Sequence, residues 1–589
     1  MMFITEYGLP LAAALLLLMF FLALPDLKSC SLPEFGVVSK KGLHYKSMVS
    51  ILVITAVYAA IAFYNLGNTS SPESFVEMPG KTAIIELEAP ETVSHIMLFP
   101  GVGMGDYEII YQYSDGSSAK ESFSQGHIQV LCWQKLQVPD TLSLSSVEIR
   151  CISGNPWLGE IGLYNSENKL IPIKSDLSPL CDEQNTVPEK SHYSNSTYFD
   201  EIYHARTAWE HLESIWPYEI SHPPLGKIIM GIGIQLFGMT PFGWRFMGTL
   251  FGVLMLPLMF EFLRKIFGGV WVPSLGSIVL AADFMHFSQT RIATIDSYAV
   301  FFILLMYYFM YRYLSENNKR CLALCGISFG LGAASKWTCL YAGAGLGVLW
   351  LLHWLTLMHK SKIKTKTLSD FYQNILFCIL FFVAIPGLVY YLSYIPYGNA
   401  ENCLPFSREY TKIVWDNQKF MFSYHAGVNA EHPYSSRWYQ WLLNIRPILY
   451  YLEYFDDGSR SSIASFLNPA LCWGGFLFLF VLAYTALARK NKTAGFILVA
   501  YLAQVLPWVF INRITFEYHY FAASVFLVLT IAYIFDVMRR NVRHWQTLTI
   551  GFTAVSIALF VLFYPALSGA PIDNKLGTAI MGWLPSWPL

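Results

Sequence analysis

Two adjacent carboxylates, Asp200 and Glu201, open the stretch "DEIYHARTAWEHL", with His204 four residues after the first. Further along come His222 and Lys227 in "HPPLGK", Arg245 in "FGWR", and Arg291 with Asp296 in "SQTRIATID". Lys336 follows in "SKW", and Arg513, Glu517 and His519 in "RITFEYHY". A carboxylate can take a proton from an attacking hydroxyl. Arginine, lysine and histidine stabilise the charge that develops on a departing phosphate. Acids and bases gathered from separate segments therefore suit transfer of a group from a phosphate donor to a hydroxyl. Each residue also has a plainer reading: Asp200 and Glu201 as complements to a helix N-terminus, the cations as interfacial anchors with snorkelling side chains.

The elements that would position these residues are set by composition. The 589 residues are 54% apolar and only 13% charged, with a mean hydropathy of +0.41. Soluble domains carry roughly a quarter charged residues, so the chain is read as a multi-pass integral membrane protein. A net charge of -1 predicts no nucleic-acid partner. The ten cysteines show neither a CxxC pair nor a zinc-like spacing with histidine. No cofactor is specified, and a divalent cation stays open.

Twelve apolar segments reach spanning length, near 8–25, 47–65, 242–263, 271–288, 297–314, 321–336, 338–357, 374–395, 469–488, 493–511, 521–538 and 546–567. The first lacks a basic leader and an A-x-A site, and is read as a retained helix rather than a signal peptide. Basic residues mark every second loop: Lys28, Lys40, Lys41 and Lys46; Arg264 and Lys265; Lys319 and Arg320; Lys360 to Lys366; Arg489 to Lys492; Arg539 to Arg543. By the positive-inside rule those loops are cytoplasmic. Residues 66–241, 396–468 and 568–589 then face outside, with the candidate acids and bases at the outer boundary. Ionisable residues at membrane depth are functional by default. A lipid-linked phosphate donor accounts for such a site, and for the absence of a glycine-rich nucleotide loop. Leu225 to Phe237 carries one apolar face but rises only about 20 Å, so it is expected to lie in the interface.

Between about Ser71 and Ile173 the pattern changes to period two, with Asp115-Gly116 as a hairpin turn. This predicts an inserted extracytoplasmic β-sandwich, discoidin- or jelly-roll-like, over 67–180; a glycan-binding module and a plain structural cap are both open. Cys132 and Cys151 lie in it, and a disulfide between them is one expectation. The rest divides into two N-terminal helices (1–66), an outer catalytic loop (181–241), a membrane core (242–395), an outer loop (396–468) and C-terminal helices with an outer tail (469–589). Thr197 three residues before Asp200 suggests a capping box.

Seven blocks in order, "FDEIYHARTA", "HPPLGK", "FGWRFMG", "MHFSQTRIATID", "GLGAASKWTCLY", "HPYSSRWYQWLLNIRPILYY" and "RITFEYHYF", resemble the bacterial-type protein O-mannosyltransferases. The resemblance covers about 195–589. It implies the GT-C glycosyltransferase fold and inverting transfer of mannose from a polyprenyl-phosphate donor to Ser/Thr hydroxyls of exported proteins at a bacterial plasma membrane. It implies Asp200 as base, Glu201 in acceptor placement, and Arg245 at the donor phosphate. His222 resembles a phosphate-contacting position of related aminoarabinose-lipid transferases, and Asp296 an acid of the second outer loop in that wider fold. Lys227, Arg291, Lys336, Arg513 and His519 join them as substrate-binding candidates. Ile220 stands where eukaryotic members have an acid, and 396–468 is too short for their MIR domain. The added β-domain leaves the acceptor open. A transferase of another lipid-linked sugar, to a lipid or wall polymer, stays as an alternative. A transporter fits poorly, because the ionisable groups gather at one face rather than at mid-bilayer.

Overall fold

A computed structural model describes residues 2–36, 44–140, 142–427 and 431–587, with side chains from Gly8 on. Lys40 and Lys41, counted above in the first basic loop, lie outside the described residues. The chain forms two compact units: Asn65–Glu219 with Ile229–Met247, and Met1–Tyr64 with Ile220–Ile228 and Gly248–Leu589.

The first unit is built on nine strands. The strand Thr82–Pro100 is long enough to serve both halves of the sheet: Thr82 to Thr92 pairs antiparallel with Ser143–Gly154, and Val93 to Pro100 with Trp157–Asn165. The register shift between Glu86 and Glu91 lets it bend. Alternation then sends Ile85, Ile96, Ile109, Tyr111, Ile149, Ile161 and Leu163 into one core. The hairpin between Gly105–Tyr113 and Ser118–Gln125 turns at Asp115-Gly116, where Gly116 has φ +88°, a conformation open to glycine. All ten cysteines are free. Cys132 and Cys151 do not pair: the thiol of Cys132 faces Ser191 Oγ at 3.7 Å, and that of Cys151 the carbonyl of Ser153.

After the strands comes the helix Glu201–Leu212. The expected capping box is absent. Thr197 turns away, donating to the carbonyls of Val130 and Leu131 at 3.2 and 3.3 Å, so the turn after His127–Gln129 competes for the hydroxyl. The helix Leu225–Phe237 has the thirteen residues anticipated.

The second unit is helical. Among the described residues nine helices are long and apolar enough to cross a bilayer, against twelve expected. The first helix runs Met2–Leu22, of which Gly8–Leu22 is counted as apolar. Two expectations change. The segment 271–288 breaks into Trp271–Ala281 and Phe284–Arg291, because buried Asp283 caps the second piece through His286 N at 3.0 Å. Lys319–Ser335 has seventeen residues, about 26 Å of helix. The outer segment 396–468 is more than a loop. It holds the helix Arg408–Gly427 and a hairpin of Ile448–Tyr454 with Ser459–Ser465. The latter strand pairs with Ile572–Asp573 of the tail, a union across more than a hundred residues that no local pattern announces.

Candidate functional site

In the first unit the two neighbouring acids are treated very differently. Asp200 stands at the N-cap of Glu201–Leu212, half-buried and without a side-chain capping hydrogen bond. Glu201 is fully buried. Its Oε1 accepts from Arg245 Nε and its Oε2 from Arg245 Nη2, both at 2.7 Å; Trp244 Nε1 adds a donation at 3.3 Å. The planar fork of arginine matches both carboxylate oxygens at once.

Arg245 is equally fixed. Its Nη1 donates to the carbonyl of Leu66 at 2.9 Å and its Nη2 to that of Ser196 at 3.1 Å, while its guanidinium lies 5.0 Å from the Tyr198 ring centroid. Gly67 permits the approach, since a Cβ there would come within 2.9 Å of Arg245 Nη1 and 2.6 Å of Pro241. The guanidinium expected at a phosphate is thus wrapped around Glu201, and Glu201, expected to place the acceptor, is enclosed by Arg245. The pair fixes the backbone on which Asp200 stands.

A second ion pair lies along the same helix. Arg206 Nε meets Glu210 Oε1 at 2.6 Å, and Glu210 also accepts from Tyr218 N at 2.6 Å and Thr207 Oγ1 at 3.3 Å. Burial raises the Glu210 carboxyl above its ordinary range, with Arg206 opposing. His204 Nδ1 lies 3.9 Å from Glu219 Oε2. One acidic trio could converge on a cation among the described residues: Glu160, Asp182 and Glu183, with ligand oxygens within 4.8 Å. Fully buried Glu160 is already engaged by Glu183 N at 3.0 Å and by Gln184 Nε2. Burial first, then Asp182 and Glu183, pushes its carboxyl up to about 7.

The second unit brings together most of the remaining candidates. Asp296 opens the helix Asp296–Glu316, and Lys336 ends Lys319–Ser335; Lys336 Nζ meets Asp296 Oδ1 at 2.7 Å. Both line a small void with Tyr341, Gln504, Trp508, Tyr518 and His519. His519 is held by Trp441 stacked at 6.0 Å and Trp508 edge-on at 4.5 Å. Lys336 Nζ lies 5.7 Å from the Tyr518 ring centroid. His222 packs 5.2 Å from His425, and Lys227, fully buried, donates to the His222 carbonyl at 3.3 Å. His425 has its Nε2 2.8 Å from the carbonyl of Ser221, so Nε2 carries the proton. Burial, then His222, Arg513 and Lys336, depress its pKa to about 4. Arg291 stands apart from this group, donating to the Tyr64 carbonyl at 2.9 Å with its guanidinium 4.8 Å from the Phe287 ring centroid.

Sequence reasoning missed His425 and the Glu210–Arg206 pair. The i,i+4 spacing of Arg206 and Glu210 was a visible signal. His425 carried none, being one histidine in the helix Arg408–Gly427 of a segment taken as loop.

Two family models match the chain. The dolichyl-phosphate-mannose-protein mannosyltransferase model covers residues 189–396. The C-terminal four-transmembrane region of protein-O-mannosyltransferase covers 410–587. All the candidate residues fall within them, and the nine strands Val76 to Ser175 precede both. The polyprenol-phosphate-mannose–protein mannosyltransferase of Mycobacterium tuberculosis is 24% identical over 66% of this chain and 86% of that protein. Its counterpart from Corynebacterium glutamicum is 24% identical over 67% and 89%. Among solved structures, the Saccharomyces cerevisiae protein O-mannosyltransferase Pmt1-Pmt2 complex, bound to the sugar donor, aligns with a TM-score of 0.58 at 14% identity, covering 67% of this chain and 89% of that one. That likeness shows the GT-C fold. The chain belongs to the protein O-mannosyltransferase family, in its bacterial form.

Proposed function

We propose that the protein transfers mannose from a polyprenyl-phosphate-mannose donor to Ser/Thr hydroxyls of exported proteins, at the outer side of the membrane and with inversion. The observation that carries this reading is the bidentate lock of Arg245 on Glu201, which fixes the backbone on which the neighbouring Asp200 opens its helix. A carboxylate on a backbone held rigid by the next residue suits a general base. Asp200 takes the proton of the acceptor hydroxyl as that oxygen attacks the sugar carbon; the carbon–phosphate oxygen bond breaks and the lipid phosphate leaves as an anion. Within the second unit, Lys336, His222, Arg513 and His519 suit the stabilisation of such an anion, with Lys227 buttressing His222 and Asp296 orienting Lys336. Arg245 acts through Glu201, holding the base rather than touching phosphate.

The test is mannosyl transfer by the purified protein from polyprenyl-phosphate mannose to a Ser/Thr peptide library. Asp200→Asn should cost on the order of 10²–10⁴-fold in rate with donor binding retained. Activity of folded Asp200→Asn protein within a few-fold of wild type would move the base elsewhere. Transfer only to lipid or polymer acceptors would overturn the protein acceptor.

A further inference from the structure

Three aromatic rings of the first unit form an accessible platform. The centroid of His127 lies 6.0 Å from Tyr203 and 6.2 Å from Tyr218, and Tyr203 lies 6.3 Å from Tyr218. Their interplanar angles are only 21°, 16° and 6°. Near-parallel rings at the corners of an almost equilateral triangle are not one stacked column, in which the outer two would be twice as far apart. They form a three-ring patch. His127 and Tyr203 are half-buried, Tyr218 is exposed, and the adjoining Ile128 and Trp216 are more exposed still. Such large apolar groups held together at a surface mark a binding site.

Each ring stands on a different element. His127 lies in the turn His127–Gln129 that follows the strand Ser118–Gln125, Tyr203 in the helix Glu201–Leu212, and Tyr218 in the loop beyond it. The Tyr218 ring is braced by Arg206, whose guanidinium carbon is 4.2 Å from its centroid. Arg206 is in turn fixed by Glu210, which also holds Tyr218 N. The platform therefore exists before any ligand arrives, and preorganisation of this kind lowers the cost of binding.

We propose that this patch binds an extended, strand-like segment of the acceptor polypeptide, placing flat apolar residues, proline above all, on the rings. In a strand residues i and i+2 face the same side about 6.6 Å apart, close to the spacing of the rings. Proline restricts the unbound chain to extended conformations, so a proline-bearing segment docks with less entropy to lose. Tyr203 stands one helical turn after Asp200, which brings the bound chain past the proposed base. This rests on the reading of the protein as a transferase to polypeptide hydroxyls. His127 lies outside the regions matched by the family models, so the β-domain adds an acceptor preference that the family core does not contain.

The experiment compares two acceptor peptides around one threonine, one with prolines at the second residue on each side and one with glycines there. The full-length protein is used as wild type, His127→Ala, His127→Phe and Tyr218→Ala. Wild type should show a lower apparent KM for the proline peptide. His127→Ala and Tyr218→Ala should each raise that KM about three- to tenfold, the worth of one aromatic contact, with little change for the glycine peptide, and His127→Phe should restore it. An unaltered proline-to-glycine KM ratio in both alanine variants overturns the proposal. So does competition by free mannosides that is lost in those variants, which would make the platform a sugar site. If wild type mannosylates neither peptide, the transfer reading fails instead. Fluorescence titration of the same labelled peptides then decides the platform: equal affinity of wild type and His127→Ala sinks it.

Discussion

The molecule holds two acid–base pairs of similar length and opposite design. Glu201–Arg245 is closed: both side chains are fully buried, the contact is bidentate, and two main-chain carbonyls and an indole complete it. Asp296–Lys336 is a contact of one lysine nitrogen with one carboxylate oxygen, its side chains 12% and 10% exposed, at the edge of a small void. A closed pair has no capacity to meet substrate without first coming apart, so its work is to hold. A point contact between a compact ammonium and a carboxylate beside a void can be exchanged for a phosphate contact. The difference separates architecture from chemistry within one set of charged residues.

The largest effect should come from opening the closed pair. Glu201→Gln leaves Arg245 charged in a site that water does not reach, and breaking a buried pair on one side costs about 3–5 kcal/mol. Glu201→Gln should fold poorly or unfold well below wild type in thermal denaturation of the detergent-purified protein, with activity lost in proportion to the folded fraction. Full stability with selective loss of acceptor affinity would show that Glu201 meets substrate, and the distinction between the pairs would fail.

A buried acid without a cation sharpens the same contrast. Glu160 is as buried as Glu201 but is surrounded by hydrogen-bond donors and other acids, and its carboxyl is pushed up to about 7. Its folded pKa is above its unfolded value near 4.5, so the folded state holds the proton more tightly. Its contribution is present below about pH 4.5 and is lost as pH rises through about 7. Hydrogen-exchange protection of the strand Trp157–Asn165, corrected for the intrinsic rate, should therefore decline between pH 5 and 8. Glu160→Gln should flatten that decline, because the buried and unpartnered Gln184 Oε1 can accept from the new amide. An unchanged slope would place the titrating group elsewhere.

How much of this could be read from the residues differs between the two pairs. Lys336 and Asp296 were legible because charges in apolar sequence are costly, so their presence at two span ends singled them out. The membership of Glu201 and Arg245 in the site was legible for the same reason, but their mutual contact was not. Residues 44 apart meet only through the tertiary fold, and a motif records which residues recur rather than which atoms touch. The spans were readable where length sufficed. Segment 271–288 failed because its apolar count was right while Asp283, a cap in mid-segment, was given no weight. Thr197 failed because a capping box is a local rule, and the carbonyls of Val130 and Leu131 arrive from a turn more than sixty residues earlier in the chain. The period-two signal of the β-domain was strong, yet the His127 platform was invisible: its three rings lie far apart in sequence and at no common spacing.

The smallest effect on folding, and the most direct comparison, comes from opening the other pair. Lys336→Met keeps the length and apolar stem of the side chain and removes its charge. Asp296 would lose one partner but retain its place at the first turn of Asp296–Glu316, where main-chain N–H groups and the helix dipole stabilise a carboxylate by about 0.3–1 kcal/mol. Folding stability should thus fall by about 1–2 kcal/mol, less than for Glu201→Gln. Donor affinity should fall further than that. A hydrogen bond from a charged group contributes about 1.5–3 kcal/mol, so the dissociation constant for the polyprenyl-phosphate donor should rise at least tenfold. Lys336→Arg, with the charge kept and the shape changed, should recover part of the loss. The measurement is donor binding to each variant beside its thermal unfolding. Donor affinity unchanged while stability drops by several kcal/mol would make Asp296–Lys336 a second structural lock, and the phosphate would then belong to His222, Arg513 and His519.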